Sequence, residues 1–148
     1  MAKINYVYWK DKIGGETDVL VTEAFSYGFT VGPHGEWEML IAKEDKEVKK
    51  NELVNIKIEE IEFPPKAMVL PCNIMRHALG IVSSLAAVGE PKSVEERRVM
   101  DEALFHPICD GVVNKGDLLS VVNIFYASVE RRLARGAAEK WLSERYRY

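Results

Sequence analysis

The sequence has few of the features that would place it outside ordinary globular proteins. Its 148 residues include two cysteines, too few for the disulfide-dense scaffold of a small secreted domain. The first ten residues hold no apolar core of signal-peptide length. No window approaches the ~18 consecutive apolar residues of a membrane-spanning helix. We therefore expect a cytoplasmic protein that does not enter a membrane.

No catalytic motif in the sequence is specific, but the composition is sufficient for a packed core. Hydrophobic residues make up 47% of the chain and charged residues 29%, as in ordinary globular proteins. A chain of this length can bury a core without disulfides or metals. We expect a single β domain over residues 1–130 and a helical tail over residues 131–148.

Charge is unevenly distributed along the chain. The net charge is −3, yet residues 131–148 contain six Lys or Arg against two Asp or Glu, which leaves 14 against 21 in the rest. An acidic body argues against a broad nucleic-acid surface, so nucleic acid is not an expected partner. The basic tail is either a contact for an acidic neighbour or RNA, or the solvated face of a helix.

Alternation of apolar and polar residues predicts strands over most of the chain. In residues 53–63 one face of the predicted strand contains Val54, Ile56, Ile58 and also Glu60. A short strand is expected to stop at Pro71, because proline cannot donate to a strand ladder.

Three later segments complete the predicted elements. Residues 77–88 are expected as a strand. Residues 93–100 fit either a short helix that begins at a capping box or an extended segment that runs into Phe105. Residues 118–129 are nearly all apolar, which predicts a central strand.

The tail changes period. An apolar stripe at helical spacing predicts a C-terminal α-helix; it consists of Leu133, Ala134, Ala137, Ala138, Trp141 and Leu142. Its aromatic side chains either pack on a neighbouring subunit or pack on the chain's own β domain. The expected architecture is therefore mainly β, a distorted barrel or sandwich of about eight to ten strands, with this helix at its end.

Two segments of the chain resemble each other. Residues 48–56, VKKNELVNI, and residues 113–121, VNKGDLLSV, each read as an apolar residue, a turn containing lysine, an acid and a strand. Two equivalent turns in a pseudo-symmetric barrel or sandwich explain this similarity. Chance likeness between two turns explains it as well, because turns share chemistry.

The chain also resembles two known groups of proteins. Residues 71–80, residues 103–107, Asp110-Gly111 and Lys115-Gly116-Asp117 are similar to an archaeal family known as domain of unknown function twenty-two. That resemblance implies a class and an archaeal source but no activity.

A more remote resemblance links residues 37–129 to the trimeric dUTPase and dCTP deaminase superfamily. Residues 40–45, 53–63 and 69–71 are similar to its acidic loop, alternating strand and proline-containing segment, and residues 113–122 to its "K-G-D-R-I-A-Q" strand. This resemblance implies a β-clip fold, a trimer and a nucleotide-related hydrolase or deaminase. Cys72-Asn73 stands where that superfamily has serine, so the resemblance is one of pattern and not of catalytic residues.

Two sets of residues are candidates for chemistry. The types of four side chains suit zinc, which would make the protein a zinc-binding structural protein; they are Cys72, His77, His106 and Cys109. Alternatively, both cysteines are small buried apolar residues. A second set is suited to an anionic small molecule, with histidine as acid or base and the cations as anchors; it consists of Arg76, His77, Asp101, His106, Asp110 and Lys115. Alternatively, its charges lie on the surface and its Asp-Gly and Gly-Asp pairs form hairpin turns.

The sequence thus predicts an uncharacterised β domain with one of three functions. The first is binding of a small anionic ligand or assembly as a homo-oligomer, a trimer or a dimer. The second is a nucleotide-related enzyme, expected from family likeness alone. The third is a zinc-binding structural role.

Overall fold

The computed structural model describes residues 2–24, 28–30, 34–86, 92 and 96–126, and 71% of these residues lie in strands. The mainly β prediction is confirmed. The predicted helix over residues 131–148 lies outside the described residues. Within those that are described, no helix is long and apolar enough to cross a membrane. The strands are β1 (Ala2–Trp9), β2 (Thr17–Ala24), β3 (Gly28–Thr30), β4 (His34–Ile41), β5 (Lys46–Val48), β6 (Val54–Phe63), β7 (Ala67–Arg76), β8 (Gly80–Ala86), β9 (Arg98–Pro107), β10 (Gly111–Val113) and β11 (Leu118–Tyr126).

The strands form two main sheets and two smaller pairs. One sheet has the order β3-β4-β11-β7 and the other β6-β9-β8, while β1 pairs with β2 and β5 with β10. Every one of these pairings is antiparallel. The main core lies between the two larger sheets, where Leu40 and Val122 of the first meet Phe63 and Phe105 of the second.

Strand β11 is central, as its apolar run predicts, and apolar residues cover both of its faces. Leu119 and Val122 belong to the main core. Leu118 and Val121 point the other way, into a second apolar cluster that also contains Ile4 of β1. A strand covered on both faces has no polar face, which explains why its sequence does not alternate.

Of the predicted alternatives, a distorted barrel or a sandwich, the described residues form no closed barrel, because the hydrogen bonding between the two main sheets is interrupted. Strand β7 does not continue into a ladder with β8. Instead, the turn between them bonds elsewhere, with the His77 amide donating to Leu119 and the Ala78 amide to Val7. Near the end of β4, the isolated bridge of Ala42 to Ile58 and a 2.8 Å hydrogen bond from the Lys43 amide to the Lys57 carbonyl join the sheets.

The predicted face of β6 is correct at its start and wrong at Glu60. Ile56 and Ile58 are buried, but Glu60 is exposed and Ile61 is buried in its place. The pairing of β6 with β9 shifts register between Lys57 and Ile61. Over this interval β6 advances by four residues and β9 by two, and an irregularity of this kind lets the inward side of the strand change.

Strand β7 runs through Pro71 rather than stopping there, which corrects a second expectation. In the described part of the chain, β7 is an edge strand of its sheet and pairs with β11 alone. An edge strand tolerates proline, since the missing amide can lie on the unpaired side.

Two other boundaries differ from the sequence-based expectation. Residues 77–79 form a turn, so that β8 begins at Gly80 rather than at His77. Residues 98–100 are extended and belong to β9. The extended alternative is therefore confirmed for residues 98–100, and the helical alternative is wrong there.

The internal similarity corresponds to two equivalent turns. Asn51 (φ 64°) and Gly116 (φ 91°) occupy matching positions, and both have the left-handed backbone conformation. In each turn the next residue donates a 3.0 Å backbone hydrogen bond to the carbonyl three residues earlier. The strands that precede the turns, β5 and β10, pair with each other.

Two side-chain contacts also relate the two turns to each other in a reciprocal way. The Asp45 carboxylate accepts a 2.8 Å hydrogen bond from the Lys115 amide. At the matching position, the Asp110 carboxylate accepts a 2.7 Å bond from the Lys50 amide. Each aspartate thus caps the turn of the other segment, which chance similarity between two turns does not explain. The pseudo-symmetric explanation is confirmed for these turns.

Tyr126, the last residue of β11, forms a side-chain hydrogen bond to β4. Its hydroxyl donates a 2.7 Å hydrogen bond to the Glu36 carboxylate. Burial, this hydrogen bond and the negative charges of Glu36 and Glu38 together raise the pKa of Tyr126 to about 12.

We expect Tyr126 to remain protonated at a pH where an ordinary tyrosine, with a pKa of about 10, has ionised. Because the pKa is raised in the folded state, the stabilisation is complete below about pH 10 and is lost as the pH rises toward about 12. In Glu36→Gln the pKa of Tyr126 should fall but stay above 10, since burial persists. Absorbance titration of both proteins, each minus its Tyr126→Phe counterpart, measures this. An unchanged pKa in Glu36→Gln would contradict the assignment.

Gly80 is a position where no side chain fits. A Cβ atom there would lie 2.7 Å from the Phe105 Cζ atom and closer still to the carbonyl oxygen of His106. We expect Gly80→Ala to lower the free energy of unfolding by about 1–3 kcal/mol, because backbone and a core ring must move. Urea denaturation measures this.

The control is Gly111→Ala. Its Cβ would meet the Leu79 Cδ1 atom at 2.7 Å, but that atom is the end of a side chain that can turn away. Equal losses of stability in the two variants would show that the close approach of β8 to β9 is not the constraint.

Candidate functional site

The most buried polar residues are His77 and Asp117, which contact each other. Their relative exposures are 0% and 1%, and the His77 Nε2 atom lies 3.1 Å from Asp117 Oδ2. Of the polar or charged side chains that the structure describes, only Ser120 joins them in the buried class. Burial at this depth requires each polar atom to find a partner.

The hydrogen bonds of the pair define its tautomer. The Leu79 amide donates to His77 Nδ1 at 3.1 Å, so this ring nitrogen acts as the acceptor and carries no proton. The proton is therefore on Nε2, which donates to Asp117. Asp117 Oδ2 also accepts a 2.8 Å bond from the Asn114 amide.

Backbone hydrogen bonds around the pair join distant segments. The Asn5 amide of β1 donates to Gly116, and the Ala42 amide after β4 donates to Asp117, both at 2.9 Å. On the other side, the edge of the His77 ring faces Phe105 of β9, with 6.1 Å between the ring centres. We interpret the pair as a structural link, because a ring with 0% exposure offers no surface to a substrate.

The other predicted ligand-binding residues are dispersed. The Arg76 guanidinium lies beside the pair and donates a long, 3.4 Å bond to the His77 carbonyl. Lys115 lies in one of the two equivalent turns, and Asp110 accepts a hydrogen bond from the amide of Lys50 in the other. Asp101 is exposed on β9, and His106 is partly exposed on the same strand. Because His106 neighbours Phe105, its side chain points to the opposite face of the sheet from the ring that contacts His77.

The four predicted zinc ligands are also separated. Cys72 is buried in the second apolar cluster, and Cys109 packs against the main core. Among the described residues, no three His, Cys, Asp or Glu side chains lie close enough to hold a metal ion.

A cleft of about 280 Å³ opens between the two main sheets. Its walls are mostly apolar and contain one charged side chain, that of Arg98. We call it the Arg98 cleft, and its lining consists of Leu40, Phe63, Val69, Pro71, Val82, Ser83, Ser84, Leu85, Arg98, Met100, Ser120 and Val122.

Strand irregularities shape this cleft. The pairing of β8 with β9 shifts register between Val82 and Ser84. The pairing of β11 shifts on both of its sides next to Ser120. Bulges of this kind re-aim side chains, and here they bring serine hydroxyls into an apolar wall.

The Arg98 guanidinium is only partly satisfied. One terminal nitrogen donates to the Ala67 carbonyl, and the group lies over the Phe63 ring at 6.0 Å from its centre. Its Nε atom is buried and has no hydrogen-bond partner in the described part of the chain. A buried donor without an acceptor costs about 1–3 kcal/mol, more when charged, and calls for an explanation.

Sequence reasoning did not identify Arg98. Counting by two from the buried Phe105 places Arg98 on the outer face of β9. The alternation along β9 is interrupted, because Ala103 is buried but Asp101, two residues earlier, is exposed. Counting by two therefore assigns the wrong face to the residues before Asp101.

Comparison with known proteins identifies relatives without a known activity. Residues 3–111 match the family described as domain of unknown function DUF22. The chain is 34% identical to an uncharacterized protein of the archaeon Methanocaldococcus jannaschii over a match of 107 residues. This match covers 71% of this chain and 80% of the relative. No solved structure matches the chain. The resemblance to the trimeric dUTPase superfamily stays a prediction.

We expect Asp117→Ala to lower the free energy of unfolding by roughly 2–5 kcal/mol, because it leaves the buried His77 Nε2 proton without an acceptor and removes the acceptor of the part-buried Asn114 amide. The matched control is Glu52→Ala at the equivalent position of the other turn. Glu52 is exposed, so its loss should change stability by about 0.5 kcal/mol or less. Urea denaturation followed by circular dichroism measures both variants. Similar losses in both would contradict the structural role of the pair.

Proposed function

We propose that this chain, which belongs to the family described as domain of unknown function DUF22, binds a small molecule with an apolar body and one carboxylate in the Arg98 cleft. The observation that carries the proposal is the buried Arg98 Nε atom without an acceptor. A carboxylate oxygen in the cleft would supply that acceptor. The mainly β fold and the archaeal relative agree with the sequence-based expectation of an uncharacterised archaeal-type β domain. The proposal adds the chemical class of the anionic ligand that the sequence analysis left open.

The shape and lining of the cleft support a small ligand. Protein sites for small molecules usually measure about 300–1,000 Å³, are mostly apolar and contain a few placed polar groups. The volume of about 280 Å³ lies at the lower end of that range. Apolar walls from Leu40, Val69 and Val82 would cover the body of the ligand, and burial of this surface would supply most of the affinity.

The charge of the cleft favours a carboxylate over a phosphate. Arg98 is the one charged residue of its lining in the part of the chain that the structure describes. A carboxylate has a single negative charge and matches the planar donors of guanidinium. A phosphate monoester has a charge of about −1.5 to −2 at neutral pH, so one arginine would leave part of it uncompensated away from water.

The lining also favours binding over catalysis. Among the described residues, the lining contains no histidine, cysteine, aspartate or glutamate, the usual groups for activating water or forming a covalent intermediate. The hydroxyl of Ser120 makes only 3.4 Å contacts to the carbonyls of Cys72 and Val121. The nucleotide-related enzyme therefore remains an alternative that rests on family likeness.

Octanoate, 1-octanol and octyl phosphate test the proposal, because they share one apolar chain and differ in head group. We expect octanoate to bind to the wild-type protein roughly 10- to 100-fold more tightly than 1-octanol. That ratio corresponds to a hydrogen bond to a charged group of about 1.5–3 kcal/mol. In Arg98→Met this preference should disappear while 1-octanol still binds. Isothermal titration calorimetry gives the dissociation constants.

The matched control is Arg97→Met. Arg97 is the adjacent residue, but its side chain is exposed and pairs with Glu62 outside the cleft, so the octanoate preference should remain. Equal binding of octanoate by wild type and Arg98→Met would refute the proposal. Tighter binding of octyl phosphate than octanoate would identify a phosphate site instead. Thermal stabilisation by dUTP or dCTP but not by octanoate would favour the enzyme alternative.

A further inference from the structure

Strand β2 presents an unusual apolar surface. Three consecutive side chains, Val19, Leu20 and Val21, have exposures of 48%, 54% and 52%. Because neighbouring side chains on a strand point to opposite faces, apolar groups are exposed on both sides of the strand. We call these three residues the β2 surface.

Among the described residues, the outer edge of β2 has little of the usual protection beyond the charged Asp18 and Glu23 near its two ends. In the described part of the chain, β2 pairs with β1 alone, over eight residues in unbroken register. Edge strands usually carry lysine, proline or a bulge that prevents pairing with another chain. The sequence of β2, TDVLVTEA, contains no lysine, arginine or proline, and its ladder with β1 has no bulge. A two-stranded ribbon of this kind is also marginally stable in isolation.

We propose that β2 of a second copy of this chain pairs with this edge, in antiparallel orientation about a twofold axis at Leu20. The ribbon of each subunit would then become part of a four-stranded sheet. A twofold interface uses the same surface on both subunits, so the surface must be complementary to itself. This inference is independent of the Arg98 cleft, which contains no residue of β1 or β2.

The exposure of both faces favours a strand as the partner. A strand that pairs with the edge satisfies backbone donors and acceptors and contacts the flanks of side chains on both faces. A helix lying on the ribbon, such as the one predicted for residues 131–148, would cover one face and leave the edge and the other face open.

Charge selects the register. With the axis at Leu20, Val19 faces Val21 of the other copy and Asp18 faces Thr22. With the axis between Leu20 and Val21, Asp18 would face Glu23 twice, and like charges opposite each other destabilise a sheet. With the axis at Val21, Val19 would face Glu23. Of these three registers, only the first keeps all three residues of the β2 surface opposite apolar residues, with Leu20 facing Leu20 and Val19 facing Val21, and it opposes no two acids.

The mass of the protein in solution is the first test. Light scattering of the full-length protein should give twice the chain mass of 16.8 kDa. Leu20→Asp should reduce the mass to that of one chain, because it places two carboxylates opposite each other at the axis. Leu20 is half exposed, so the fold should persist, as circular dichroism will verify. In the control Ile13→Asp, which alters a residue 71% exposed in the turn after β1, the dimer should remain.

Cysteine cross-linking is the second test and reports the register. In Leu20→Cys the two new thiols would face each other, and directly opposed strand residues have the Cα separation of about 4.5–5.5 Å that a disulfide accepts. In Val19→Cys the thiols would be diagonal, about 7–8 Å apart, which is too far. We expect mild oxidation to link most of the Leu20→Cys dimer and little of the Val19→Cys dimer.

Several results would overturn the proposal. A wild-type mass of one chain would mean that β2 is uncovered or is covered by the chain itself. A mass of three chains would require a different interface, because a twofold edge pairing closes with two. A Leu20→Asp protein that keeps the double mass, or faster cross-linking of Val19→Cys than of Leu20→Cys, would also refute it.

Discussion

The hydrogen bond from His77 Nε2 to Asp117 lies where four parts of the chain meet. Asp117 directly precedes β11, and its carbonyl accepts a hydrogen bond from the amide of Ala42, the residue after β4. His77 ends β7, begins the turn toward β8 and contacts Phe105 of β9. The pair therefore contacts both main sheets, and we expect their separation to depend on it. We expect the same of the Arg98 cleft, because its walls come from both sheets.

Within the described interior, the His77–Asp117 pair and Arg98 differ in their hydrogen bonding, and the Trp9 Nε1 atom is, like Arg98 Nε, a buried donor without a partner there. Every hydrogen-bonding atom described for the His77 ring has a partner, and Asp117 accepts two bonds. Satisfied polar groups of this kind specify one arrangement of the chain. Arg98 instead retains an unmet donor in an apolar cleft. A ligand with an acceptor could relieve this cost, and Arg98, unlike Trp9, lines a cleft, which is why we propose the binding role for Arg98.

Sequence reasoning predicted the regular parts of this protein and failed where strands depart from regularity. The alternation up to Ile58, the central position of β11 and the two equivalent turns depend on local periodicity and turn chemistry. Glu60, Pro71 and Arg98 were misplaced or missed because bulges and edge positions are set by pairing with distant strands. His77 was singled out from the sequence, but Asp117, 40 residues away, decides its environment, and no spacing rule reveals that partner.

The most direct test of this division of roles is a nitrogen-15 NMR titration of the full-length protein with octanoate at neutral pH. It follows the Arg98 Nε–H and the His77 Nε2–H signals in one sample. The account predicts that His77 has its proton on Nε2 throughout. It also predicts that the Arg98 signal shifts to saturation as octanoate binds, while the His77 signal does not move. A proton on His77 Nδ1, or an Arg98 signal that stays fixed while His77 responds, would contradict it.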